Sequence, residues 1–156
     1  MRTTTTFALA GLMALGAGLA FAGGHGGNPA VTARKAHMNL YQHNLVILGN
    51  MAKGDVAYDA EAAQAAADNL VALTSLSQRG YWDAGTSRDD LGEATRALPG
   101  LWGEGSKARE IGGQVRDAAV ELAAVAGMDA ASLGPAVGKL GQACTACHKE
   151  YRFSAN

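Results

Sequence analysis

Apolar residues recur three and four positions apart along four stretches of this chain, and nowhere at every second position for long enough to make a strand. That spacing is the period of a helix face. The first stretch covers about 31–52, with Val31, Met38, Tyr41, Leu45, Leu48 and Ala52 on one stripe. Lys53-Gly54-Asp55 ends it, with Gly54 placed to take the C-terminal turn. The second covers about 60–78. Asp59 caps its start, Ala63, Ala66, Leu70, Leu73 and Leu76 form its apolar face, and Gly80 stops it. An irregular connection follows, in which residues 91–98 can make a short helical turn. The third stretch, about 101–126, carries Leu101, Ala108, Ile111, Val115, Ala118, Leu122 and Val125, with Pro99 near its start. The fourth begins near Asp129 or Ser132 and runs nearly to the end with Leu133, Val137, Leu140, Cys144, Cys147 and Tyr151; Pro135 falls in its first turn. Four helices with mostly short links predict an all-α fold, an antiparallel four-helix bundle.

The segment ahead of these helices reads as an address. Met1-Arg2 supplies a positive start, residues 7–21 an apolar run, and Ala20-Phe21-Ala22 a small-x-small cleavage pattern. The run is shorter than the ~20 residues of a membrane span, and Gly11, Gly16 and Gly18 weaken it further. We expect a signal peptide over 1–22, one domain over 23–156, export to the periplasm of a bacterium and no stable membrane anchor. Cleavage after Ala22 would expose Gly23-Gly24-His25, whose amine, two amides and imidazole suit square-planar Cu(II) or Ni(II). With 13 Lys plus Arg against 14 Asp plus Glu, the chain lacks the surplus cations that nucleic-acid binding needs. No nucleophile–base constellation marks an enzyme.

Both cysteines of the chain fall in Cys144-Thr145-Ala146-Cys147-His148, the C-x-x-C-H attachment signature of a c-type haem. On a helix the two thiols and the imidazole stand at i, i+3 and i+4 and share a face. The thiols can form thioethers to the two vinyl groups on one porphyrin edge, and His148 can reach the iron as proximal ligand. A redox dithiol of the thioredoxin type would need a βαβ setting, and a structural zinc site four ligands. A disulfide between the two would leave His148 unexplained.

The motif lies in the last helix of a predicted bundle, with Tyr151-Arg152 just after it. In this the chain resembles the class II c-type cytochromes, the relatives of cytochrome c′. The segment 48–55 followed by Tyr58-Asp59 is similar to the family's first interhelical turn, and Leu101-Trp102 to the start of its third helix. The resemblance implies one covalent haem c, with redox partner proteins in the periplasm and a possible homodimer. It also implies that the first helix covers the distal face of the haem. Counting back from Leu48-Gly49 to the family's distal position reaches Met38. A Met there is similar to the low-spin, Met-ligated cytochrome c-556 branch and implies His148/Met38 coordination and single-electron transfer. An open distal side, as in five-coordinate cytochrome c′, implies binding of NO or CO instead.

The residues alone also allow Met38 as core filling. His37, rotated by about 100° from it, is the other ligand candidate on this helix. His43 reads as a surface residue, and Met51, Trp82 and Trp102 as packing. Arg34, one turn before Met38, resembles an Arg that the high-spin branch keeps near a haem propionate. Gly134, Gly138 and Gly141 form a row that would let the porphyrin or the first helix approach closely.

Overall fold

The computed structural model describes residues 27–154. The expected signal peptide and Gly23-Gly24-His25 lie outside them. Within the described residues the long helices are α1 (Pro29–Lys53), α2 (Ala60–Ser75), α4 (Ala108–Val125) and α5 (Ala130–Tyr151). A one-turn helix α3 (Arg88–Leu91) and two 3-10 turns, Gly92–Ala94 and Pro99–Trp102, occupy the connection between α2 and α4. No helix among these residues is long and apolar enough to cross a membrane.

Local chemistry sets most of the boundaries. The Asn28 side chain accepts from the amides of Ala30 and Val31, and Pro29 sits where its missing N–H costs nothing. Gly54, at φ 78°, closes α1 in the left-handed conformation expected of it. Asp59 caps α2 through the Ala62 amide, and Asp129 caps α5 through the Ser132 amide. Two boundaries differ from the sequence reading. α2 ends at Ser75, because Leu76 turns extended and remains 51% exposed. α4 starts at Ala108 rather than near Leu101, because Gly103 and Gly105 (φ 80°) break the chain after the 3-10 turn. Pro135 also sits one turn deeper in α5 than expected, since that helix already starts at Ala130.

The principal contacts pair α1 with α2, α2 with α4, α4 with α5, and α5 with α1. Each long helix thus touches two neighbours around a ring, the pattern of an up-down-up-down bundle. Leu48, Leu70, Leu122, Leu133 and Leu140 are fully buried at its centre. Each contributes roughly 1.5–3 kcal/mol of burial. Ala63, Ala66, Ala67, Ala118 and Ala119 fill the same core and bring the helices close.

The inward face of α1 is rotated from the expected stripe. Ala30, Val31, Arg34, His37, Asn44, Leu48 and Met51 are buried, whereas Met38, Tyr41, Leu45 and Ala52 are half-buried along one flank. The reason is that polar residues also find partners inside. Asn44 accepts from Asn69 of α2 at 3.1 Å, and Arg34 is drawn in by the α2–α4 connection.

Candidate functional site

The C-terminal end of α5, the N-terminal half of α1 and the α2–α4 connection meet at one end of the bundle. The connection is stitched to the end of α5 by an isolated antiparallel bridge, Ala97 to Arg152. The Leu98 amide donates to the Tyr151 carbonyl at 2.9 Å, and the Phe153 amide to the Arg96 carbonyl at 2.8 Å. The Tyr151 hydroxyl accepts from the Lys107 amide at 2.8 Å. His148 is therefore carried on a helix end that is bonded to the connection.

Cys144, Cys147 and His148 are half-buried, and both thiols are unpaired. Cys144 packs against the hydrophobic core. Burial raises the pKa of both thiols, with Cys147 adding to the effect at Cys144. Protonated thiols of this kind are poor redox nucleophiles. Burial, and then the charge of Arg152, lowers the pKa of His148, so its imidazole is neutral at pH 7, the form that ligates metals. Two free thiols and a neutral imidazole on one helix face fit a haem c.

Tyr41 connects this triad to α1. Its hydroxyl pKa is pushed up to about 12, first by burial and then by the proximity of Cys144. α1 packs against α5, and Tyr41 and Cys144 both pack against the core the two helices share. Met38 and Leu45 lie on the same flank of α1 as Tyr41, three residues before and four after it. His37 lies seven residues before Asn44, on the face toward α2. Its ring meets Tyr41 edge-on at 4.9 Å and Tyr81 at 5.7 Å. Its Nε2 is buried without a hydrogen-bond partner. The two candidate ligands of α1 stand about 100° apart on the helix, Met38 half-buried and His37 buried against Tyr41 and Tyr81.

Arg34 is 5% exposed and deeply engaged. Nη1 donates to the Tyr81 carbonyl (3.2 Å) and Thr86 Oγ1 (3.1 Å). Nη2 donates to the Thr86 carbonyl (3.0 Å) and Thr95 Oγ1 (2.8 Å). The guanidinium also stands 5.1 Å from the Trp82 ring centroid and 6.0 Å from that of Trp102. All four acceptors are neutral. The expected propionate partner would have to meet the charge of Arg34 without its terminal N–H groups, which the connection already occupies.

Other sequence-derived residues fall as follows. His43 is exposed and Met51 is buried in the core. A Cβ added to Gly134, Gly138 or Gly141 meets nothing within 4 Å, so the approach of α1 does not require that glycine row. Thr86 and Thr95, the buried acceptors for Arg34, were not found from sequence. They lie in a connection without periodicity, where nothing distinguishes them from solvated threonines. Among the described residues no three His, Cys, Asp or Glu side chains group to hold a metal ion.

Comparison with known proteins agrees with this geometry. The family model described as Cytochrome C' matches residues 29–152. A protein named cytochrome c-554 from Cereibacter sphaeroides is 41% identical over 125 residues, covering 78% of this chain and 79% of the relative. A cytochrome c' from the same organism is 36% identical, covering 78% and 81%. The solved cytochrome c' from Rhodobacter Spheriodes superposes with a TM-score of 0.78 at 35% identity, covering 81% of this chain and 96% of that one. Two further solved neighbours are each 26% identical. One is a variant of cytochrome c prime from Alcaligenes xylosoxidans with bound carbon monoxide (TM-score 0.67); the other is a cytochrome c' described by an unusual ligand-controlled dimer dissociation (TM-score 0.71).

An all-helical bundle with a C-x-x-C-H motif at the end of its last helix defines a class II c-type haem protein. The chain belongs to the cytochrome c′ family, whose members bind covalent haem c.

Proposed function

We propose that the chain is an exported single-haem protein that takes up a small neutral ligand, NO or CO, on the haem face toward α1. The observation that carries this reading is the likeness, over four-fifths of the chain, to a solved cytochrome c prime holding carbon monoxide. Cys144 and Cys147 would hold the haem by thioethers, and His148 would ligate its iron from α5. The haem, when bound, would supply an iron able to bind a diatomic ligand and to cycle between ferric and ferrous. On α1, the half-buried Met38 and Leu45 would offer apolar surface, and Tyr41 a hydroxyl. An apolar surface favours neutral diatomics over water and anions.

A second reading is favoured by the place of Met38, half-buried on the N-terminal half of α1, the helix that packs against α5. Its thioether would then ligate the iron together with His148, and the protein would carry single electrons between periplasmic redox partners, as in the c-556 branch. We further propose that residues 1–22 are removed on export and that 23–156 form the mature domain. A homodimer is proposed from the ligand-controlled dimer of a neighbour.

Optical spectra of the mature holoprotein, ferric and ferrous, with and without CO, separate the readings. A high-spin spectrum that CO converts is expected for the first. A low-spin spectrum with a weak far-red thioether band, unchanged by CO, would overturn it in favour of Met38 ligation.

A further inference from the structure

The α2–α4 connection reaches both sides of the site. On one side it is bonded to the residues that follow His148. On the other it receives all four terminal N–H bonds of Arg34. Arg34 is the link in α1 one turn before Met38. It is the only buried charge of α1, and no carboxylate pairs with it among the described residues. A forked cation held by four fixed neutral acceptors constrains orientation more than it contributes electrostatically.

We infer that Arg34 is a positioning residue. It latches the N-terminal half of α1 to the connection and so fixes how closely the Met38 flank covers the distal side of the haem. Without the fork this half of α1 is held mainly by the small side chains of Ala30 and Val31 and by His37, whose buried Nε2 has no partner. The latch rests on the assignment of the distal side to α1. It is distinct from a charge partner for a propionate, because it depends on fork geometry and on Thr86 and Thr95.

The test uses holoprotein carrying Arg34→Lys, Arg34→Met or Thr95→Val, with Leu122→Ala as a control for lost stability. Leu122 is fully buried and lies on α4, apart from the latch. Two quantities are read: hydrogen exchange of amides 30–41, and the CO association rate of the ferrous protein. The latch predicts faster exchange in all three latch variants, with Lys failing to rescue. It also predicts a CO rate raised about tenfold, as expected when an open arrangement of α1 becomes ten times more populated. Leu122→Ala should lower the Tm without moving either local readout. Wild-type behaviour of Arg34→Lys and Thr95→Val would overturn the latch, most directly if Arg34→Met alone shifts the reduction potential. A wild type that ignores CO would defeat the gas-binding reading. The exchange data would still decide the latch, as would CO binding newly acquired by Arg34→Lys.

Discussion

At the scale of single residues, His37 is the most exposed to a simple test. A buried polar nitrogen without a partner is destabilising, and removing it without losing volume recovers part of that cost. His37→Phe is expected to raise the stability of the protein by about 1 kcal/mol, measured by thermal or urea unfolding. The pH dependence follows from the same burial. The His37 pKa is held below its usual 6.5 by desolvation. In the unfolded chain the group takes up its proton first as the pH falls. Stability contributed by the neutral form is thus complete above about pH 6.5 and drains away below it. His148 titrates in the same direction in the haem-free chain. His37→Phe should therefore flatten the acid limb in part, and an unchanged limb would assign all of it to other groups.

At the scale of elements, the end of α4 is held by a side chain from another helix. Gln64 of α2 donates to the Ala123 carbonyl at 3.0 Å and accepts from the Gly127 amide at 3.1 Å. Tyr58 donates to the Ala126 carbonyl at 2.8 Å. A Cβ at Gly127 would lie 2.8 Å from Gln64 Oε1 and 3.3 Å from Gln64 Cβ, so a side chain there would push the clamp aside. Gln64→Ala is expected to cost about 1–2 kcal/mol in urea unfolding, since it leaves the end of α4 under-bonded. The caps within single helices were legible beforehand. Asp59 and Gly54 act over three or four residues, and sequence records such neighbours side by side. The Gln64 clamp and the Arg34 fork join positions between 47 and 63 apart, and no local pattern carries them. The rotated face of α1 was missed for the same reason. Periodicity fixes a stripe only when the buried residues are apolar, and here Arg34, His37 and Asn44 occupy inward positions because distant groups answer them. The cysteines and His148 were legible because their chemistry is local to five residues.

At the scale of the whole molecule, the ring of helices leaves the outer side of α1 uncovered. Leu40 and Val46 are about half exposed there, more than a core-forming helix needs. If this side meets a second copy, a Leu40→Glu, Val46→Glu variant should sediment as a monomer at concentrations where the wild type is a dimer. Its haem spectrum should be unchanged. Equal sedimentation of both would place any dimer contact elsewhere.

The seam between α1 and α5 has a consequence for the order of events during maturation. It joins Tyr41 to Cys144, more than a hundred positions apart, so among the helix pairs its closure has one of the largest entropic costs. A chain that has not yet closed the seam presents both thiols to water, whereas in the closed bundle both cysteines are partly buried. The thioether formation proposed for Cys144 and Cys147 would thus have its natural window before the final docking of α5. Attachment and folding become a race in which a bundle that closes too early shuts out its own cofactor.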